Sequence, residues 1–334
     1  MYPVEGETNM RIDCSEVKSF RECGRKHMFN SRNRMHLQPV APNGNLVFGT
    51  QFHEVLAMMY LGTPLDKLLE WINREVTDVT AWRIMNAMCE GYYNGPYQID
   101  KDRYVLVDIE KSFNYPIELV NPEEVTTGEE IHWVPSTDPK LGAWVGVDAY
   151  GGVHEAICAC GSIDMICIDV KTGKMVGFEH KTAQNFRPEV YDLIDEQPRL
   201  YTWALQRILV DYHRQGKYLE VTDTGPIFLN QVRKLQNKFE YHRSVCEYTE
   251  SDMRNFMTSF VATLRRIAHE KLSDELPVPG FMKCQMCDYA DLCMHYGYST
   301  IDKKELLDEF EGEFVERDHD HLDEKASRHN EEVE

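Results

Sequence analysis

Apolar residues change their spacing partway along the chain, and the change divides the sequence into a helical first part and a mixed remainder. In the first part they recur every three or four residues, which is the period of an amphipathic helix. This period predicts helices over residues 15–30, 45–61, 65–75 and 80–93. Residues 1–100 are therefore expected to form an N-terminal helical region.

The pattern changes from residue 103 onward. The stretch RYVLVDIEKSFNYPIEL (103–119) alternates and is rich in β-branched and aromatic residues, which predicts one or two strands. Further strand signals lie at 142–151, 161–184, 225–234 and 238–248, and helical periods return at 189–213 and 250–271. This mixture predicts an α/β (α+β) fold with a mixed central sheet flanked by helices.

Three further segments follow the helical region in the predicted organisation. A core is expected over 101–272, a cysteine-rich segment over 273–300, and an acidic tail over 301–334. The tail is polar and highly charged, so we expect it to be largely disordered.

Composition and length narrow the class of protein. The chain has 334 residues, of which 42% are hydrophobic and 28% charged, as in soluble globular proteins. No apolar run approaches the ~20 residues that span a bilayer. The N-terminus carries no basic and apolar signal pattern. These observations predict a cytoplasmic protein with no membrane partner.

The formal net charge of −20 argues against non-specific binding to nucleic acid, because an acidic surface repels phosphate. The charge is uneven, however. Residues 302–334 hold 14 acidic and 5 basic residues, a net of −9, which leaves −11 for the rest. Basic residues also cluster between 21 and 34 and between 233 and 238. A local basic groove therefore remains open.

One predicted hairpin carries charged residues where apolar ones would pack better. Its sequence is GSIDMICIDVKTGKMVGFEHKTAQ, with the turn signal KTGK at 171–174. If the turn is centred on its second and third residues, Asp164 lies opposite Lys181 and Ile166 lies opposite Glu179. Any loop of even length keeps the same side chains on the same face.

Strand alternation then brings three charges together. Glu179 and Lys181 are two residues apart and share a face, which Asp164 joins, while His180 points the other way. Two carboxylates at cross-strand distance suit a hard divalent cation such as Mg²⁺, with the backbone carbonyl of His180 as a further ligand. A lysine beside them can position a water or stabilise a charged transition state. A surface salt bridge is the alternative interpretation.

Two helices carry polar pairs that help to decide between a metal site and a surface salt bridge. Gly49 and His53 are four residues apart in FGTQFHEVL, and Gln197 and Tyr201 are four apart in EQPRLYTWAL. Each pair therefore lies on one helical face. Taken singly, such residues are usually part of a satisfied core.

Taken together and in order, these residues resemble the PD-(D/E)XK nuclease superfamily, in its RecB-like branch. The matching motifs are Gly49-x3-His53, Gly161-Ser-Ile-Asp164, Glu179-His-Lys181-Thr182 and Gln197-x3-Tyr201. The resemblance covers residues from about 15 to 297, with Ile163 in place of the proline of the superfamily name. It implies a restriction-endonuclease-like core, so residues 101–272 would be a nuclease core.

The resemblance also implies roles for the charged residues. Asp164 and Glu179 would bind Mg²⁺ or Mn²⁺, with His53 as a further metal ligand. Lys181 would be the catalytic lysine.

The remaining motif residues would have supporting roles. Gln197 and Tyr201 would support the site or contact DNA. Glu110 stands where relatives often carry an acidic residue before the core hairpin, and a solvated strand residue is the alternative.

The ten cysteines include a closely spaced group. Cys284, Cys287 and Cys293 form C-x2-C-x5-C, a spacing typical of metal ligands, and Cys23 can supply a fourth thiol. Spacing alone leaves zinc and an iron–sulfur cluster both open.

A resemblance to the AddB-type and CRISPR-associated Cas-four nucleases narrows this choice. Those nucleases are similar in having one cysteine in an N-terminal F-x2-C motif, here Phe20 to Cys23, and three cysteines near the C-terminus. It implies a [4Fe-4S] cluster held by Cys23, Cys284, Cys287 and Cys293. Such a cluster would join the N-terminal helical part to the C-terminal segment in a mainly structural role, since it closes a long loop.

The combined prediction is a metal-dependent DNA exonuclease that acts on single-stranded ends. Family resemblance implies recombination, repair or CRISPR-linked DNA processing by a phage-encoded nuclease, with single-stranded DNA and recombination or CRISPR adaptation proteins as partners. A non-catalytic DNA-end-binding or scaffolding module on the same fold is the alternative, and a zinc-stapled protein of unrelated function is a third. The sequence leaves the oligomeric state open.

Overall fold

The structure is a computed structural model that describes residues 10–31, 33–40, 44–120, 131–135, 144–236, 238–269, 284–296 and 303–316. Residues 303–316, in the predicted acidic tail, form a helix and a short strand in which Leu306 and Phe314 are buried. Residues 317–334 of that tail lie outside the described residues.

The predicted helices are confirmed, with two interruptions. The helices are α1 (Cys14–Glu22), α2 (Gly24–Asn30), α3 (Gly44–Tyr60), α4 (Leu65–Glu75), α5 (Val79–Asn94), α6 (Pro96–Arg103), α7 (Glu189–Ile194), α8 (Glu196–Arg214), α9 (Glu250–His269), α10 (Ala290–Tyr296) and α11 (Lys303–Glu309). Cys23 adopts extended backbone and separates α1 from α2. Asp195 separates α7 from α8, and its carboxylate accepts the backbone N–H of Gln197 as an N-cap.

Six of the ten described strands fall where the alternating pattern predicts them, and the other four, at 10–12, 37–39, 132–135 and 314–316, were not predicted. The strands are β1 (Met10–Ile12), β2 (Leu37–Pro39), β3 (Tyr104–Leu119), β4 (His132–Pro135), β5 (Trp144–Val147), β6 (Val153–Asp169), β7 (Lys174–Ala183), β8 (Thr224–Arg233), β9 (Tyr241–Cys246) and β10 (Phe314–Glu316). β8 and β9 form the antiparallel pair that their sequences predict.

The chain divides into two compact units. The first comprises Met1–Ala41, Phe113–Gly161 and Met257–Glu324, and the second comprises Pro42–Ser112, Ser162–Phe256 and Lys325–Glu334. Every residue of the predicted hairpin site from Asp164 onward, together with His53 and Glu110, belongs to the second unit. The four cysteines of the predicted cluster belong to the first.

A mixed sheet organises the second unit. β6 pairs with β7 antiparallel, β7 with β8 parallel, and β8 with β9 antiparallel. β7 is buried along most of its length, so its neighbours must cover both faces. Helix α8 packs on β7 and β8, and α3 packs on β7. This arrangement confirms the predicted α/β class with a mixed sheet flanked by helices, as in restriction-endonuclease-like folds.

The register of the β6–β7 hairpin corrects one prediction. Ile166 pairs with Gly177, not with Glu179, so the expected pairing of Asp164 with Lys181 is wrong as well. The reason is a four-residue loop, in which the carbonyl of Asp169 accepts the N–H of Gly173 at 2.8 Å. The register moves by two residues, and an even shift leaves every side chain on its expected face.

Among the described residues, the core of the second unit includes two apolar groups. Helices α3, α4 and α5 bury one group, which includes Phe52, Leu56, Met85 and Tyr92. Strands contribute the other, which includes Phe178 of β7 and Phe228 of β8. These groups hold α3 and β7 in fixed positions, because interiors pack densely and side chains there keep single rotamers.

The first unit pairs β4, β5 and the first part of β6 antiparallel, and β1 runs parallel to β6. β2 and β10 form a separate antiparallel pair. Its described core includes Phe29, Leu37, Tyr289, Leu292 and Phe314. Helix α2 and the cysteine-rich segment therefore share one apolar cluster. Among the described helices of the chain, none combines the length and apolar character needed to cross a membrane.

Candidate active site

Three candidate ligands from three elements meet at one point. His53 of α3, Glu110 of β3 and Asp164 of β6 each offer one ligand atom, and these atoms lie within 4.8 Å of one another. The Nδ1 atom of His53 is 3.4 Å from Oδ1 of Asp164 and 3.9 Å from Oε1 of Glu110. The structure thus brings together two residues of the predicted metal site and the residue that the sequence ranked below them.

Glu110 has unusual backbone geometry for a strand residue. Its φ is +51°, in the left-handed region that residues other than glycine rarely adopt. Such a conformation costs on the order of 1–3 kcal/mol and persists only when surrounding structure enforces it. This conformation occurs at the point where Glu110 approaches His53.

Two donors contact one oxygen of the Glu179 carboxylate. Its Oε1 accepts from Nε2 of Gln197 at 2.8 Å and forms an ion pair with Nζ of Lys181. The same amide of Gln197 contacts the hydroxyl of Tyr201 at 2.8 Å. The predicted Gln-x3-Tyr pair therefore lies against the carboxylate, one turn apart on α8.

The second oxygen of Glu179 is buried and has no hydrogen-bond partner among the described residues. The side chain is only 2% exposed. A buried carboxylate oxygen without a donor is costly, and such atoms usually mark the place of a water or an ion. This oxygen fits a cation ligand.

The main chain of His180 connects the two halves of the site. Its N–H donates to Oδ2 of Asp164 at 2.7 Å, and its carbonyl accepts from Nε2 of His53 at 2.9 Å. The second bond requires a hydrogen on Nε2, so Nδ1 of His53 is the nitrogen that faces the carboxylates. The carbonyl that the sequence predicts as a metal ligand is thus at the site and bonded to His53.

Electrostatics of the site favour positive charge. Burial lowers the pKa of His53, but Asp164, Glu110 and Glu179 outweigh it and raise that pKa to about 9. Burial and the charge of Asp164 raise the pKa of Glu179 to about 7. Both directions arise because carboxylates crowd a poorly hydrated site.

Lys181 remains protonated in this environment. Burial works to lower its pKa, yet the carboxylates of Glu179 and Asp164 raise it overall. Its side chain is 41% exposed, while its Nζ forms an ion pair with the buried carboxylate of Glu179.

Charge balance indicates what the site can hold. Without metal, a protonated His53 and the ammonium group of Lys181 face the carboxylates of this site. A divalent cation that displaced the His53 proton would supply positive charge to the same carboxylates, which are ligands that suit Mg²⁺ or Mn²⁺. A small cleft opens onto them, lined by Leu56, Tyr60, Ile109 and Met165 beside the ligands.

The four cysteines of the predicted cluster lie in the first unit as free thiols. Cys23 is buried, and its Sγ accepts the N–H of Lys26 at 3.5 Å. Burial raises the pKa of Cys293, and the thiols of Cys23, Cys284 and Cys287 add to that shift. The structure therefore places the four thiols in one neighbourhood.

Comparison with known proteins identifies the class. The family model of the PD-(D/E)XK nuclease superfamily matches residues 11–294. The match covers most of the chain, which therefore belongs to this superfamily of nucleases.

Two solved structures are similar to the chain at low identity. One is named "Putative exonuclease" and comes from Eubacterium rectale; it is 12% identical, with 91% of this chain and 94% of that chain covered and a TM-score of 0.45. The other is named SSO0001; it is 11% identical, with 85% of each chain covered and a TM-score of 0.27. No curated protein matches the sequence.

Sequence reasoning missed a buried polar network behind His180. It includes Asp100 of α6, Asn230 of β8 and Arg243 of β9. One signal was available, since Asn230 and Gln231 interrupt the apolar run of PIFLNQVR in a strand that is buried throughout its centre. Asp100 carries no such signal, because a polar helix surrounds it in sequence.

Proposed function

We propose that the protein is a metal-dependent DNA exonuclease that hydrolyses phosphodiester bonds at single-stranded ends. The observation that supports this most is the convergence of His53, Glu110 and Asp164 within 4.8 Å of one another. Superfamily membership supports nuclease activity, and the resemblance to RecB-like exonucleases supports single-stranded ends as substrate.

His53, Asp164 and Glu179 would hold the metal, with Glu110 and the carbonyl of His180 as further ligands. The orphaned oxygen of Glu179 fits this role. A bound Mg²⁺ or Mn²⁺ would polarise a phosphate oxygen and lower the pKa of a bound water. Nε2 of His53 is fixed by the His180 carbonyl, so Nδ1 is presented as the ligand atom.

Lys181 acts in this proposal as an ammonium group rather than as a base. Its raised pKa keeps the proton in place near neutral pH. A positive charge beside the scissile phosphate stabilises the negative charge that develops during hydrolysis. Gln197 orients Glu179 and is itself in contact with Tyr201, so both residues support the site in addition to any contact with DNA.

The test is cleavage of single-stranded DNA labelled at either the 5′ or the 3′ end, with Mg²⁺ or Mn²⁺. We expect the wild type to release labelled nucleotides from one end and Lys181→Ala to be inactive. The label that is lost first reports the polarity. Equal behaviour of wild type and Lys181→Ala would contradict the enzymatic proposal, and binding without cleavage would favour a DNA-end-binding or scaffolding module.

We also propose a [4Fe-4S] cluster on Cys23, Cys284, Cys287 and Cys293. Arg25 supports an anionic group there, because its Nε and Nη2 are buried without a hydrogen-bond partner among the described residues. The charge of Arg25 acts on Cys293, where it opposes the rise in pKa that burial causes. A guanidinium group beside four thiolates and their cluster would find acceptors in the sulfur atoms.

The family resemblance favours iron–sulfur over zinc. A single Zn²⁺ would take all four sulfurs with Zn–S bonds of about 2.3 Å, whereas in a [4Fe-4S] cluster each thiolate binds a different iron atom.

The cluster would join the helical region 1–100 to the cysteine-cluster segment 273–300, and residues 101–272 would form the nuclease core. Such a nuclease fits recombination, repair or CRISPR-linked DNA processing, with the proteins of those pathways as partners. Anaerobic purification tests the cofactor. Brown protein with about four iron atoms per chain is expected, whereas colourless protein with stoichiometric zinc would contradict the cluster.

A further inference from the structure

A buried polar ladder crosses the sheet directly behind the catalytic carboxylates. His180 of β7 pairs in register with Asn230 of β8, which pairs with Arg243 of β9. Residues paired across neighbouring strands project to the same face. This face lies opposite the one that carries Glu179 and Lys181, because His180 stands between them in sequence.

Hydrogen bonds connect each step of the ladder. The amide of Asn230 donates to Nδ1 of His180 at 3.2 Å, and its oxygen accepts from Nε of Arg243 at 2.7 Å. Asn230 is completely buried and His180 is 2% exposed. Because an amide NH₂ group can only donate, this contact makes Nδ1 of His180 the acceptor nitrogen of the ring.

The far end of the ladder is anchored on α6. Arg243 donates from both terminal nitrogens to the two oxygens of Asp100, each at 2.7 Å. Tyr60 of α3 donates to the same carboxylate at 2.6 Å and contacts the hydroxyl of Tyr92 at 3.0 Å. The ring of Tyr60 also lies 6.1 Å from that of His180. The imidazole is therefore held from two sides.

Such a network is a poor choice for stability alone. Buried ion pairs lose hydration that their attraction only partly recovers, and apolar residues of similar volume are often equally stabilising. The bidentate geometry between Arg243 and Asp100 instead provides precise direction. A role in positioning other groups explains such a network at the centre of a sheet better than a contribution to stability does.

The ladder can position the two backbone groups of His180. The N–H of His180 donates to Asp164, and its carbonyl accepts from His53. The side chain and the two peptide groups belong to one residue, so fixing the ring fixes both contacts. Partners that orient metal ligands typically change metal affinity by roughly 10–100-fold when removed.

We propose that the ladder of His180, Asn230 and Arg243, anchored on Asp100, is the positioning element of the metal site. It acts through the His180 peptide to hold Asp164 and His53 in place for a divalent cation. The proposal rests on the proposed function only in taking these two residues as ligands. The imidazole of His180 is thus a positioning group that does not touch substrate, whereas the backbone carbonyl of the same residue is the proposed metal ligand.

Two variants of His180 test the proposal as a matched pair. His180→Asn keeps an oxygen acceptor near the place of Nδ1, while His180→Gln moves the amide outward and loses that acceptor. We expect His180→Gln to bind Mn²⁺ roughly 10–100-fold more weakly by calorimetry. His180→Asn should stay within about threefold of wild type. In cleavage assays kcat should fall for His180→Gln, with KM for DNA unchanged.

Tyr212→Phe controls for stability without touching the site. It removes a buried hydrogen bond of 2.7 Å to Asp108 at the far end of α8. It should lower the melting temperature and leave Mn²⁺ affinity unchanged. If His180→Gln behaves like Tyr212→Phe, the ladder is merely structural and the proposal fails.

A second variant covers the case in which His180→Gln does not fold. Arg243→Lys keeps a charge beside Asp100 but loses the Nε donor to Asn230, and it should also weaken Mn²⁺ binding. Unchanged affinity in this variant would overturn the proposal. Failure of the proposed function is separate: it would appear as wild-type protein that binds Mn²⁺ and does not cleave DNA.

Discussion

The catalytic centre and the cysteine group are both candidate metal sites, but they are built differently. In the catalytic centre, hydrogen bonds within the protein orient His53, Asp164 and Glu179. The cysteine sulfurs lie in one neighbourhood, yet no three described thiols approach within 4.8 Å. The comparison indicates that the first site is formed before its metal binds. In the proposed [4Fe-4S] site, the cluster itself would set the final geometry of the thiols.

Removing a cluster ligand should have the largest effect, and it should act on stability. Cys287→Ser would open a cross-link that closes the chain between Cys23 and the C-terminal segment. By analogy with a disulfide closing a loop of this length, the free energy of unfolding should fall by about 5 kcal/mol. Chemical denaturation of anaerobically purified protein measures this, with loss of visible absorbance as the marker of cluster loss.

Cys158→Ser is the matched control, because Cys158 is a buried thiol of β6 outside the proposed ligand set. It should keep the visible absorbance. Cleavage per folded molecule should change only a few-fold in Cys287→Ser. A complete loss of cleavage in folded Cys287→Ser would assign the cluster a catalytic role. It would contradict the distinction between a catalytic site and a structural cysteine site.

Asp164→Asn should have the next largest effect, and it should act on catalysis. The substitution removes the charge that faces His53 and leaves one oxygen acceptor, where the carboxylate has two, to serve both the metal and the His180 N–H. We expect the single-turnover cleavage rate to fall by about 10³-fold, the magnitude typical of a lost electrostatic contact at a reacting centre. Iron content should be unchanged. A rate within tenfold of wild type would remove Asp164 from the site.

Metal affinity of the catalytic centre should depend on pH. A ligand must lose its proton to bind metal, and His53 has a pKa of about 9 without metal. Its proton therefore opposes binding below pH 9, so Mg²⁺ affinity should rise about tenfold per pH unit between pH 7 and 8.5. Glu179, with a pKa of about 7, should steepen the rise below that pH.

Calorimetric titration with Mg²⁺ across this range measures the slope, and His53→Gln provides the control. That variant should bind Mg²⁺ more weakly and lose the slope above pH 7. Affinity that is flat with pH in the wild type would show that His53 does not exchange its proton for the metal.

Gln197→Ala should have the smallest effect. The amide donates to Glu179 and favours its ionised form, so its loss should raise the pKa of Glu179 above about 7. The acid limb of the pH–rate profile should then move to higher pH, with cleavage near neutral pH reduced about tenfold. Thr202→Val, which removes a hydroxyl bonded only within α8, should leave the profile unchanged.

The spacing of apolar and polar residues predicted much of the fold and several residues of the candidate site. The change from helical to alternating spacing located the elements, and alternation placed Asp164 and Glu179 on one face even though the register was wrong by two residues. The error in register arose because the loop between the two strands has four residues. It is closed by a hydrogen bond from the N–H of Gly173 to the carbonyl of Asp169, which only the folded chain shows.

Other features could not be predicted, because they depend on contacts between distant segments. Glu110 reaches the site through a left-handed backbone conformation that no pattern of side chains indicates. Asp100 anchors Arg243 across 143 positions of sequence. Charged residues of this kind look solvated in a sequence and acquire their roles from the strands and helices around them.

The most direct test of the catalytic centre is a crystal structure with Mn²⁺, in which anomalous scattering locates the ion. We predict one strong peak about 2.0–2.3 Å from Nδ1 of His53 and from a carboxylate oxygen of Asp164. Glu179 should turn its buried oxygen toward the ion. An ion bound elsewhere in the second unit, with this cluster of ligands unchanged and DNA cleavage intact, would contradict the account.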